Sequence, residues 1–103
     1  MEKEINAIRE KLPTEELLAQ LAEECMELGH AALKLRRALS GENPTPVGVN
    51  DALEGVIEEI ADVQLVIRVL KYDQCEPTYQ GIMYRKISRW VSRLEGNNEA
   101  NPV

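Results

Sequence analysis

Two carboxylates, Glu24 and Glu59, stand where a helical chain should carry apolar side chains, and each has a second acid three residues on, Glu27 and Asp62. Helix positions advance by about 100° per residue, so faces can be mapped from the sequence. On that wheel Leu17, Leu28 and Leu35 fall within about 40° of Glu24, and Glu27 sits about one sixth of a turn away. Glu59 is flanked within about 40° by Ala52, Val63, Val66 and Leu70, with Asp62 three residues on. A bare carboxylate on a core-facing stripe is costly unless something pairs with it. Buried salt bridges are the plain explanation, but the nearby cations Arg68 and Lys71 point away from the Glu59 side. Two i,i+3 acid pairs on neighbouring helices can instead converge on a divalent cation. Hard oxygen ligands without Cys or His select Mg²⁺ or Mn²⁺.

The elements that would position these acids are helical. Residues 2–11 form a short amphipathic stretch that Pro13 ends, and Thr14 is placed to cap the next helix, Glu15 to Leu39. Ser40-Gly41-Glu42-Asn43-Pro44-Thr45-Pro46 reads as a loop. Asn50 is placed to cap a third helix from Asp51 to about Tyr72, apolar on several sides as the most buried helix of a bundle would be. Cys75-Glu76-Pro77 breaks it, and Thr78 caps a fourth helix from Tyr79 to Leu94. The expected fold is all-α: three long helices and a short N-terminal one in a single domain over 1–95, then a frayed tail over 96–103.

Composition agrees with that outline. The 103 residues are one domain's worth, 44% hydrophobic and 29% charged, a globular balance. With no Phe and four aromatics, a β-sandwich is disfavoured. A formal charge of -6 argues against a nucleic-acid binder working by phosphate neutralisation. No apolar run approaches the ~20 residues of a membrane span, and the N-terminus lacks a signal-peptide apolar core. Cys25 and Cys75 are too few for a disulfide scaffold, so a reducing, cytoplasmic setting is expected.

Glu23-Glu24-Cys25-Met26-Glu27 followed by Glu59-Ile60-Ala61-Asp62 resembles the EExxE…ExxD signature of the MazG-like all-α nucleotide pyrophosphohydrolases. The phrases Ala22 to Leu35 and Ile57 to Val66 also look like that family's two metal-binding helices, and the resemblance covers roughly 14–95. The 31 residues between Glu27 and Glu59 make a long gap for the signature, which the Ser40–Asn50 segment accounts for as a loop insertion. The resemblance implies Mg²⁺-dependent hydrolysis of a nucleoside triphosphate to monophosphate and pyrophosphate. Glu24, Glu27, Glu59 and Asp62 would hold the metal, with Mn²⁺ as a substitute; Glu23 would sit beside them as an extra ligand or a base, and Glu23 or Glu27 would position the attacking water. It also suggests a homodimer or homotetramer.

Other residues carry weaker signals. Lys86, Arg89 and Arg93 form a basic stripe on the last helix, readable as a phosphate clamp or equally as a solvated face. Lys86 to Trp90 also looks like the family's basic final helix. His30 completes a Glu-x-x-His pattern, but a di-iron bundle needs two and this chain has one His, leaving His30 at the pocket edge or merely exposed. Cys25 and Trp90 are expected in the core, and ion pairing along its own face accounts for Lys34. A second class of function stands beside the hydrolase: a non-enzymatic helical interaction module whose acids make structural ion pairs across an oligomer interface.

Overall fold

The computed structural model describes residues 1–41, 48–75 and 78–96. Every regular element among these residues is helical: α1 (Glu2–Lys11), α2 (Thr14–Ser40), α3 (Val49–Leu70), a 3₁₀ turn (Tyr72–Gln74) and α4 (Thr78–Leu94). There is no strand among the described residues, and none of their helices is long and apolar enough to cross a membrane. Chain contacts divide the protein into two compact units, Met1–Leu70 and Lys71–Val103. The expected frayed tail after Gly96 and most of the loop after Gly41 lie outside the described residues.

Proline and glycine set the boundaries in the first unit. Leu12 precedes Pro13, whose ring disfavours helical backbone there, and Leu12 is extended at φ -114, ψ 128. Thr14 does not cap α2 as the sequence suggested. Pro13 holds the cap position at φ -70, ψ 159, and its carbonyl accepts from the amides of Glu16 (3.0 Å) and Leu17 (3.1 Å). With the entry angle already fixed by the ring, Thr14 begins the helix and makes no side-chain cap bond. Gly41 closes α2 in the left-handed region at φ 69, donating its N–H to the Arg37 carbonyl, a conformation that favours glycine. Asn50 and Thr78 likewise lie inside α3 and α4 instead of capping them. Lys71, also left-handed at φ 67, ends α3 at Leu70, two residues short of the expected Tyr72.

Packing in this unit is organised around α3, which meets α2 along one face and α1 along another. Ile5, Leu17 and Val69, one from each helix, form the core cluster, with Leu70 packed against it. Burying side chains of this size contributes roughly 1.5–3 kcal/mol apiece, so three helices are held by a thin core. Ala52 and Val66 are also buried on α3. The expected many-sided apolarity of α3 is present, but one stripe, Leu53, Ile57 and Ile60, is exposed, Ile57 at 57%. Arg9 joins α1 to the end of α3, donating from Nε to the Val69 carbonyl at 2.8 Å and from Nη2 to the Arg68 carbonyl at 3.2 Å.

In the second unit α4 is amphipathic, with Ile82, Met83, Ile87, Trp90, Val91 and Leu94 recurring at helical spacing. None of its residues is buried. Trp90, expected in the core, is 68% exposed. Cys25 is exposed as well, because it lies about 100° round the wheel from Glu24, off the stripe that α2 turns toward α3.

Candidate metal centre

Glu24 and Glu27 are one turn apart on α2, and Glu59 and Asp62 one turn apart on α3. The two helices run antiparallel against each other, so the pairs meet where the helices pack. Glu24, Glu27 and Glu59 each place a carboxylate oxygen within 4.8 Å of the others. Oxygens sharing one Mg²⁺ at 2.0–2.1 Å lie about 3–4 Å apart, so small side-chain rotations suffice to close the set on an ion. Asp62, half-buried, is outside that trio but acts electrostatically on both Glu24 and Glu59.

Burial and like charge make the cluster electrostatically unfavourable as it stands. Glu24 is only 9% exposed, and Gln20 Nε2 donates to its Oε1 at 3.3 Å. Burial first, then the charges of Asp62 and Glu27, push the Glu24 carboxyl above its ordinary value. For Glu59 burial again leads, followed by Glu27, Asp62, Glu24 and Glu58. Glu59 Oε2 is buried with no hydrogen-bond partner. Among the described residues the ion pairs join the N-terminal amine to Glu4 (2.9 Å) and Arg68 to Glu2 (2.7 Å); neither brings a cation to the cluster. Arg68 faces α1, which accounts for its absence here. An all-oxygen donor set with an orphaned buried oxygen fits a hard divalent cation.

A cleft of about 480 Å³ opens from the cluster along α2 and α3. Glu27 and Glu59 stand at one end, Arg37 and Asp51 share the other, and His30 and Lys34 lie between them on α2. His30 therefore does line the candidate pocket. Glu23 is exposed and faces a separate open depression beside Met26 and Gly29, which Glu27 and His30 also border. On α4, Lys86 and Arg93 are exposed and Arg89 is half-buried with a partner; all three belong to the second unit. The reading of Lys34 as half of an ion pair is not met: no carboxylate pairs with it among the described residues. Lys34 and Arg37 as cleft residues were missed from sequence. Their positions seven and ten residues after Glu27, within about 80° of it on the wheel, were the available signal.

No family model, curated protein or solved structure matches this chain.

Proposed function

We propose that the chain is a Mg²⁺-dependent nucleotide pyrophosphohydrolase of the MazG-like kind, converting a nucleoside triphosphate to monophosphate and pyrophosphate. One observation carries the reading: a buried, unpartnered Glu59 oxygen within a trio of carboxylates that no cation of the described residues neutralises. Glu24, Glu27, Glu59 and Asp62 would hold Mg²⁺, or Mn²⁺ in its place. When bound, the ion supplies charge neutralisation at the phosphate oxygens and lowers the pKa of water. Glu27, the exposed member of the trio and a residue of the cleft, would orient a water and accept its proton. That water attacks phosphorus, the bond between the α- and β-phosphates breaks, and pyrophosphate departs. Glu23 lies one turn away and supports Glu27 in this role from the flanking depression.

A homodimer or homotetramer belongs to the same proposal. Leu53, Ile57 and Ile60 recur at i, i+4 and i+7 on the open stripe of α3, and such a stripe calls for a partner surface. Ile60 is Glu59's sequence neighbour, so an interface there would lie beside the acids. The same stripe is what favours the second reading, a helical interaction module without catalysis. Product analysis separates the two. Purified protein with Mg²⁺ and a panel of NTPs and dNTPs should release monophosphate and pyrophosphate; diphosphate plus orthophosphate would mean a different enzyme, and no turnover with metal bound would favour the module.

A further inference from the structure

The α2–α3 cleft is bipolar. Carboxylates Glu27 and Glu59 define one end, and Lys34 and Arg37 bring two cations further along the same α2 face. At 1.5 Å rise per residue, Lys34 lies about 10 Å and Arg37 about 15 Å beyond Glu27. Both side chains are exposed, and neither is ion-paired among the described residues, although Asp51 lines the same end of the cleft. In a chain of formal charge -6, two unpaired cations in a cleft that starts at an acid cluster form a local anion site.

Gly55 makes a second, independent point. It lies in the interior of α3 and on the wall of this cleft, where a glycine costs roughly 1 kcal/mol relative to alanine. A Cβ built there meets nothing within 4 Å, so no packing in the protein itself requires the glycine. With no side chain there, that stretch of the α3 wall is bare backbone between the acid end and the basic end.

We propose that Lys34 and Arg37 bind the pyrophosphate end of the substrate, which lies lengthwise in the cleft past Gly55 with its metal-bound phosphates at Glu27 and Glu59. This rests on the pyrophosphohydrolase reading and adds to it a rule for phosphate-chain length. A triphosphate reaches both the acids' metal and the cations. A diphosphate, one phosphate shorter, loses part of the second contact and is selected against. The first turn of α3 also faces this end, and its N-terminal dipole favours an anion there, while the Asp51 carboxylate opposes one. Asp51 is thus the local competitor of the incoming phosphate.

Calorimetry with Mn²⁺ alone and with inorganic pyrophosphate plus Mg²⁺ tests the assignment, on wild type, Lys34→Met, Arg37→Met, Asp51→Asn and Gly55→Ala. Arg36→Met is the control, since Arg36 removes the same charge from α2 but lines a different depression, with Ala32 and Leu39. Lys34→Met and Arg37→Met should each weaken pyrophosphate about 10-fold, the size of a lost charge-assisted hydrogen bond, with Mn²⁺ binding retained. Asp51→Asn should tighten pyrophosphate, Arg36→Met should leave it unchanged, and Gly55→Ala should weaken it while raising the melting temperature. Equal pyrophosphate affinity in wild type and both cation variants, with Mn²⁺ binding intact, overturns this inference alone. An equal loss in Arg36→Met also overturns it, by reducing the effect to net charge. Absence of Mn²⁺ binding in the wild type overturns the metal-centre reading and this inference with it.

Discussion

Replacing Glu59 with glutamine should move the melting temperature in opposite directions with and without metal. In the metal-free protein the Glu59 carboxyl titrates above its ordinary value of 4.5, through burial first and then the charges of Glu27, Asp62, Glu24 and Glu58. A folded state that holds the proton more tightly than the unfolded state loses stability as pH rises from 4.5 through the folded-state value. Above that value the whole penalty is present. Glutamine has the same shape and no charge, so the metal-free variant should melt higher than wild type at pH 7. The gap should narrow as the pH is lowered toward 5. With Mn²⁺ the order should reverse. A ligand at 100 times its Kd stabilises the folded state by about 2.7 kcal/mol. For a chain of about 100 residues each kcal/mol is worth about 4–8 °C, so saturating metal should raise the wild type by roughly 10–20 °C. Glu59→Gln, lacking one of three clustered ligands, should show little of that rise. Differential scanning fluorimetry from pH 5 to 8, with EDTA and with Mn²⁺, reads all four states. A metal-free variant that melts below wild type at pH 7 would refute the reasoning, because the carboxylate would then be stabilising as it stands.

Other perturbations test separate parts of the picture. Asp62→Asn or Glu24→Gln should lower the rate of pyrophosphate release at least ~100-fold with the helical circular dichroism unchanged. Leu17→Ala, at a core position contributed by α2, should cost about 2–4 kcal/mol in a urea titration, since that core is thin and little else can fill the space. Ile57→Asp, on the open stripe of α3, should shift the mass seen by light scattering toward the monomer; a wild type that is monomeric at micromolar concentration would remove the assembly from the proposal.

The sequence made some of this legible for physical reasons that can be named. Helical periodicity and the breakers Pro13 and Gly41 located α1, α2 and α3 to within a few residues, because long apolar repeats specify helices strongly. The misplaced caps at Thr14, Asn50 and Thr78 show the limit: a capping side chain is a weak preference, which the fixed geometry of Pro13 overrides at α2. Glu24 and Glu59 stood out because acids interrupted an otherwise apolar stripe, and that conflict survives folding as a buried, unpartnered oxygen. Trp90 and Cys25 were misjudged for a common reason. A wheel assigns faces to a single helix, whereas burial depends on whether another element covers the face. Lys34, Arg37 and Gly55 were missed because each is ordinary alone and acquires meaning only when α3 lines up against α2.

The Arg9 clamp on the end of α3 has a kinetic consequence. Its bond to Val69 joins residues 60 apart in sequence, whereas α2 and α3 are neighbours across one short connection. Closing the longer loop costs more chain entropy, and contacts distant in sequence form later. The α2–α3 hairpin should therefore collapse first, with α1 docking onto it afterwards and leaving first during partial opening. Ile5, α1's contribution to the core, would go with it, baring Val69 and releasing the last carbonyls of α3 to solvent. In native-state hydrogen exchange, the amides of α1 and of the final turn of α3 should thus open together as one unit, at lower free energy than the middle of the hairpin. The acids lie in that middle, so the candidate site should stay assembled through the protein's most frequent excursions.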